Sequence, residues 1–189
     1  MDKPDTQRNT KIREFIRIKF LSKPLQQTRI YKDLVLDIGC GWGFYFKINP
    51  YASGIDLDDK CVNYLEEKGY KVIKADILNK FPFDGGTFEW VIAHDIFEHF
   101  ELNEVKNIFT ETHRILKDKG KFLIVIPNQK GYNYGCRINA GHKHFITPEE
   151  IAKISKETFI VKKSYSYPLN RFLGEHFTHN KEVLILEKK

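Results

Sequence analysis

Apolar and polar positions change period along the chain, and those changes mark out its elements. Ile12, Phe15, Ile16 and Phe20 recur at helical spacing with Lys11, Arg13 and Arg17 turned away. This predicts an amphipathic helix from Thr10 to just before Pro24, behind a polar end at 1–9. The period then shortens. "LVLDI" (34–38), "YASGIDLD" (51–58, centred on Gly54–Asp56), "KVIKAD" (71–76) and "FEWVIAHD" (88–95) each predict a short strand. "KFLIVIPN" (121–128) is almost wholly apolar, as a strand covered on both faces should be. Helical patterns lie between. One is capped by Asp58 or Asp59 and runs to about Lys68, stopped by Gly69. A second runs from Glu101 to about Lys117, with Gly120 as its end and Val105, Ile108, Phe109, Thr112, Ile115 and Leu116 on one face. A third, "TPEEIAKISKE" (147–157), has proline in its first turn. "FPFDGG" reads as a loop. Two final strands, "FIVKKSYSY" (159–167) and "EVLILEK" (182–188), have no long helix between them.

Alternating strands and helices imply a parallel sheet with right-handed crossovers, and the terminal pair implies one antiparallel strand. Ligands in such sheets bind beyond the C-terminal ends of the strands. In "VLDIGCGWG" (35–43), Gly39, Gly41 and Gly43 follow the first strand at alternate positions, giving a turn that can lie flat against a ligand. Asp56 ends the next strand 19 residues after Asp37. That is the spacing at which a carboxylate accepts from both hydroxyls of a ribose, so an adenosine-containing ligand is expected. A dinucleotide fingerprint needs a third glycine one residue later, where Phe44 stands.

The motifs in order resemble the class I S-adenosylmethionine-dependent methyltransferases, in their small-molecule branch. "VLDIGCGWG" looks like their first motif and "GIDLD" their second. "KADILNKFPFDGGTFEWVIAHDIFEHF" resembles the stretch through their fourth strand, "RILKDKGKFLIVIPN" their fifth-strand region, and "HKHFITPEEI" a segment of that branch. The likeness runs from Leu34 to Ile151. It implies a Rossmann-like α/β fold: a seven-stranded, mostly parallel sheet of order 3-2-1-4-5-7-6, strand 7 antiparallel, with helices on both faces. It also implies S-adenosyl-L-methionine as cofactor and S-adenosyl-L-homocysteine as product. By this likeness Gly39, Gly41 and the backbone at Cys40 pack against the methionine part and ribose. Asp37 orients the loop and the amino group, Asp56 holds the ribose hydroxyls, and Leu57 lies against the adenine. Asp76 accepts from the adenine amine beside Ile77, and the His94 backbone approaches the sulfonium or carboxypropyl arm. The bland alternative for Asp76 is a turn cap. Trp42 and Phe44 either wall the cofactor or pack under the N-terminal helix.

Methyl transfer from a sulfonium needs alignment and at most one proton removed. Candidate groups at the mouth are His99, His142 and His144, together with Asp95 and Glu98, and histidine titrates near neutrality. His142 and His144 also have a metal-ligand spacing with Glu98 as a third group. Anchoring of the loop by His144 is the plainer reading, and no metal is expected. Segments 127–147 and 167–180 read as lids carrying Tyr132, Tyr134, Phe145, Tyr167, Phe172 and Phe177. An aromatic lid suits a small-molecule, lipid-linked or sugar-linked acceptor, and it also stacks a base. "AHDI" stands where base-amino methyltransferases carry an Asn/Asp-Pro-Pro-Tyr/Phe tetrad, which argues against a flipped-out base.

Composition adds limits. The chain has 189 residues, most simply one catalytic domain at 34–189 behind a helical arm at 1–33. Its net charge is +6. Residues 1–33 hold nine basic and four acidic side chains, or +5; the rest hold 22 against 21, or +1. Such an arm leaves RNA or protein methylation as an alternative, less expected than a small acceptor. A non-catalytic cofactor-binding module is a further alternative. Cys40, Cys61 and Cys136 form no CxxC pair, so neither a disulfide framework nor a zinc site is indicated. No apolar run approaches the roughly 18 residues of a membrane span, and a cytoplasmic location is expected. The pattern is silent on oligomeric state.

Overall fold

The computed structural model describes residues 23–137, 141–177 and 180–189. The helix expected from Thr10 lies almost wholly outside them. A helical turn at α1 (Lys23–Gln26) includes Pro24, where that helix was expected to have stopped. A single turn requires no amide from the proline, and Leu25 beside it is buried.

Seven strands follow: β1 (Val35–Ile38), β2 (Ser53–Asp56), β3 (Lys71–Lys74), β4 (Phe88–His94), β5 (Leu116–Pro127), β6 (Phe159–Tyr167) and β7 (Lys181–Lys188). They form one sheet of order β3-β2-β1-β4-β5-β7-β6. β7 runs antiparallel to both β5 and β6, and the remaining pairs are parallel. This is the order and polarity that the motifs implied. The helices are α2 (Asp59–Glu67), α3 (Leu102–Ile115), α4 (Gln129–Arg137), α5 (Pro148–Ser155) and α6 (Arg171–Gly174).

Strand alternation splits the core into two layers. Val91 and Ala93 of β4 face the cluster containing Ile108 and Phe109 of α3 and Ile151 of α5. Trp90 and Ile92 face the opposite cluster, with Val62 and Leu65 of α2, Tyr45, Phe46 and Leu25. Helix ends are fixed as their sequences suggest. Asp58 caps α2, accepting from Lys60 N at 2.9 Å, and Gly69 beyond it has φ +81°. Thr147 and Glu150 form a reciprocal capping box on α5.

Two differences from the pattern reading have local causes. α3 ends at Ile115 rather than near Lys117, because Leu116 turns extended and already pairs with Phe88 of β4. Pairing resumes only at Trp90–Lys121, so Lys117 to Gly120 bulge opposite Glu89. α4, which the pattern left inside a lid, begins directly after β5. Asn128 tethers it: its Oδ1 accepts from Gly131 N at 2.8 Å, and its Nδ2 donates to Gly174 O and Phe177 O at 2.8 and 2.9 Å. Both lid segments are thereby pinned to the end of one strand.

Candidate functional site

The loop after β1 is held by the end of β2. Gly39 N and Cys40 N both donate to Ile55 O, at 2.8 and 3.1 Å. Asp56 fixes the rest, one oxygen accepting from Gly41 N at 2.7 Å and the other from Asp58 N at 2.9 Å. Gly39 has φ +66°, and a Cβ there would lie 2.5 Å from Ile96 Cδ1. Gly41 has φ +49° with nothing within 4 Å on that side, leaving open space beside the backbone and the Asp56 carboxylate. A carboxylate has about four acceptor positions, so two remain on Asp56 for a ribose diol. These residues fit an adenosine cofactor. Leu57, the next residue, is 61% exposed and available to cover a base.

Asp37 lies beneath the loop, 4% exposed. Burial first, and then the Asp56 carboxylate, push its pKa up to about 8. Cys40 is packed against Gly54, and burial raises its thiol far above the usual range, so it is no nucleophile. Asp76 accepts from Leu78 N at 2.9 Å and Asn79 Nδ2 at 3.2 Å, capping its own turn after β3, with Ile77 buried beside it. His94 ends β4 with its ring 5.5 Å from that of Phe44, which places Phe44 beside the strand end. Trp42 is 63% exposed and meets Tyr64 edge to face. The expected cofactor residues thus lie along the C-terminal edge of β1 to β4.

A second group follows β4. Asp95 (φ +53°) is paired with Lys181 of β7, whose Nζ lies 2.7 and 2.8 Å from its two oxygens. Glu98, 2% exposed, is pushed up to about 8 by burial and then by Asp95. Its backbone carbonyl accepts from Lys143 N at 2.8 Å, which docks the segment carrying His142. His142 Nε2 lies 4.0 Å from Glu98 Oε1, and burial lowers its pKa. The rings of His99 and His142 meet at 5.2 Å. His144 turns away: its Nε2 lies 3.5 Å from Glu150 Oε1, at the cap of α5. Of the three histidines named from sequence, two converge and the third lies against Glu150.

The Asp95–Lys181 pair was not visible in the sequence, its partners lying 86 residues apart. Gly135 did leave a signal, a glycine inside a helix, where it costs about 1 kcal/mol against alanine. Its role is close approach: a Cβ there would sit 2.0 Å from His142 Cε1. We therefore expect Gly135→Ala to leave the fold intact while displacing the His142 ring and breaking its contact with Tyr132 O. A shifted His142 imidazole resonance with unchanged circular dichroism checks this.

The mostly parallel sheet with one reversed strand, in the order β3-β2-β1-β4-β5-β7-β6, has the architecture of the class I methyltransferase fold. Residues 36–124 match the family profile described as "Methyltransferase domain". The chain is 34% identical over 117 residues to an uncharacterized protein of Methanocaldococcus jannaschii, covering 61% of this chain and 49% of that one. It is 30% identical over 142 residues to a mouse tRNA (carboxymethyluridine(34)-5-O)-methyltransferase, covering 69% of this chain and 21% of that one. It thus spans half or less of these curated relatives. A solved S-adenosylmethionine-dependent methyltransferase from Archaeoglobus fulgidus superposes with TM-score 0.67 at 18% identity, over 93% of this chain and 98% of that one. Segment 36–124 thus resembles a methyltransferase domain, and the fold around it is that of solved S-adenosylmethionine-dependent methyltransferases.

Proposed function

We propose that the chain transfers the methyl group of S-adenosylmethionine to a small-molecule, lipid-linked or sugar-linked acceptor. The observation that carries the cofactor half is the Asp56 carboxylate, clamped between Gly41 N and Asp58 N at the mouth of the loop. When bound, the sulfonium supplies an activated methyl for in-line displacement. The protein's part is alignment. Asp56 orients the ribose, the Gly39–Gly41 backbone admits it closely, and buried Asp37 faces the cationic end. On the acceptor side, Tyr132 stacks on His142 at 5.2 Å and meets Phe145 at 5.3 Å. This aromatic wall stands over buried Glu98 and favours a compact organic acceptor. Burial lowers the His142 pKa, which favours the neutral ring at this wall.

A tRNA acceptor is the second reading, favoured by the relatives that carry that name. Methyl-labelled S-adenosylmethionine, incubated with the protein and a cell extract split into small-molecule and RNA fractions, separates the two. Label in the nuclease-resistant small-molecule fraction is expected. Label that enters RNA and is released by ribonuclease replaces the first reading with the second.

A further inference from the structure

Glu98, His99 and His142 come together from two separate stretches of chain, and one donor atom of each lies within 4.8 Å of the others. Bonds of about 2.0–2.2 Å let one ion bridge donors roughly 4 Å apart, so the 4.0 Å between Glu98 Oε1 and His142 Nε2 is already in range.

The rings are also set in the right tautomer. His142 Nδ1 lies 3.1 Å from Tyr132 O, and His99 Nδ1 lies 3.2 Å from Gly141 O. A carbonyl only accepts, so each Nδ1 carries a proton, and in the neutral ring that leaves the lone pair on Nε2. Metal-ligating histidines are oriented in this way, by a backbone carbonyl on the other nitrogen. Gly135 and Tyr132, one helical turn apart on α4, seat the His142 ring against that helix. Glu98 adds an independent sign. Its Oε2 is buried with no hydrogen-bond partner among the described residues. A buried carboxyl oxygen without a partner is costly, and a cation bound there removes the cost.

We propose that Glu98, His99 and His142 bind a first-row divalent transition-metal ion, with open coordination positions for an oxygen or nitrogen ligand. Two imidazoles and one carboxylate select zinc, manganese or iron over magnesium and calcium, which take oxygen sets. Three protein ligands are the number that leaves room for water or substrate. The set differs from the His142–His144 spacing visible in sequence, because His144 is turned towards Glu150, its Nε2 3.5 Å from Oε1.

The test is titration of the chelator-treated chain by ZnCl2 and by MgCl2 in a calorimeter, with CoCl2 followed by visible absorption. One equivalent of zinc, ligand-field bands from cobalt and no heat from magnesium are expected. His99→Ala, His142→Ala and Glu98→Gln should each weaken zinc at least tenfold, and His144→Ala should not. No zinc or cobalt binding by the wild type overturns the proposal without any variant. Binding that survives all three substitutions, or that is lost with His144→Ala instead, overturns the ligand set. None of these outcomes touches the cofactor reading, which is tested separately by nucleoside titration.

Discussion

Asp56→Ala lowers the affinity for S-adenosylhomocysteine by at least tenfold, and about a hundredfold is the central expectation. Hydrogen bonds to a charged group contribute roughly 1.5–3 kcal/mol each, and tenfold corresponds to about 1.4 kcal/mol. The substitution removes the acceptor for a ribose diol. It also frees Gly41 N, whose 2.7 Å bond to Asp56 holds the loop in its left-handed turn. Asp56→Asn separates the two effects, since its amide oxygen keeps one of the backbone bonds and loses the charge. Its affinity should fall between wild type and alanine. Calorimetric titration reads both variants. Undiminished binding by a folded Asp56→Ala protein would remove Asp56 from the cofactor site.

The second large effect concerns Asp37. Its folded pKa of about 8 stands above its ordinary value of 3.8. Between those values the folded protein holds a proton that the unfolded chain has released. Stability therefore falls as pH rises from about 4 through about 8, by several kcal/mol at the order-of-magnitude level for this one group. Asp37→Asn removes the titration. Its melting temperature should exceed that of wild type at pH 8, and the gap should close towards pH 5. By the reading proposed above, in which Asp37 faces the cationic end, the same variant should also bind S-adenosylmethionine more weakly at pH 8, where part of Asp37 is ionised. Thermal melts across that range, with a binding titration at pH 8, check both. A wild-type melting temperature independent of Asp37 at pH 8 would count against its being buried as described.

Much of the sheet was legible because its signals are local. β6 falls on the nine residues from Phe159 to Tyr167, a run bounded by polar and proline positions. Asp58, Gly69 and Thr147 mark helix ends by chemistry that acts within one turn. The glycine loop and the Asp56 strand end that braces it were legible for the same reason, as both are read from adjacent motifs. The cluster after β4 was not. Its geometry comes from Lys143 N on the Glu98 carbonyl, 45 residues distant, and from a glycine whose only role is to let a ring approach. A repeat such as His142-Lys143-His144 suggests two ligands on one strand-like face. Docking onto Glu98 instead sends the rings to different partners. Asp76 shows the limit differently: the carboxylate expected at the adenine also closes its own turn, and both uses leave the same mark in the sequence.

The order in which the sheet can assemble follows from where β7 sits. It is the seventh strand made, yet it lies inside the sheet, between β5 and β6. During synthesis, β1 to β5 can pair as soon as they emerge, while β6 has no neighbour in the sheet until β7 arrives. The apolar edge of β5 stays open for the same interval, the condition in which strand edges find wrong partners. Lys181, at the start of β7, brings the charge that meets Asp95 only at that last step. Completion of the sheet and completion of the Asp95–Lys181 pair are thus one event, and a ribosome-bound chain that stops short of β7 has neither.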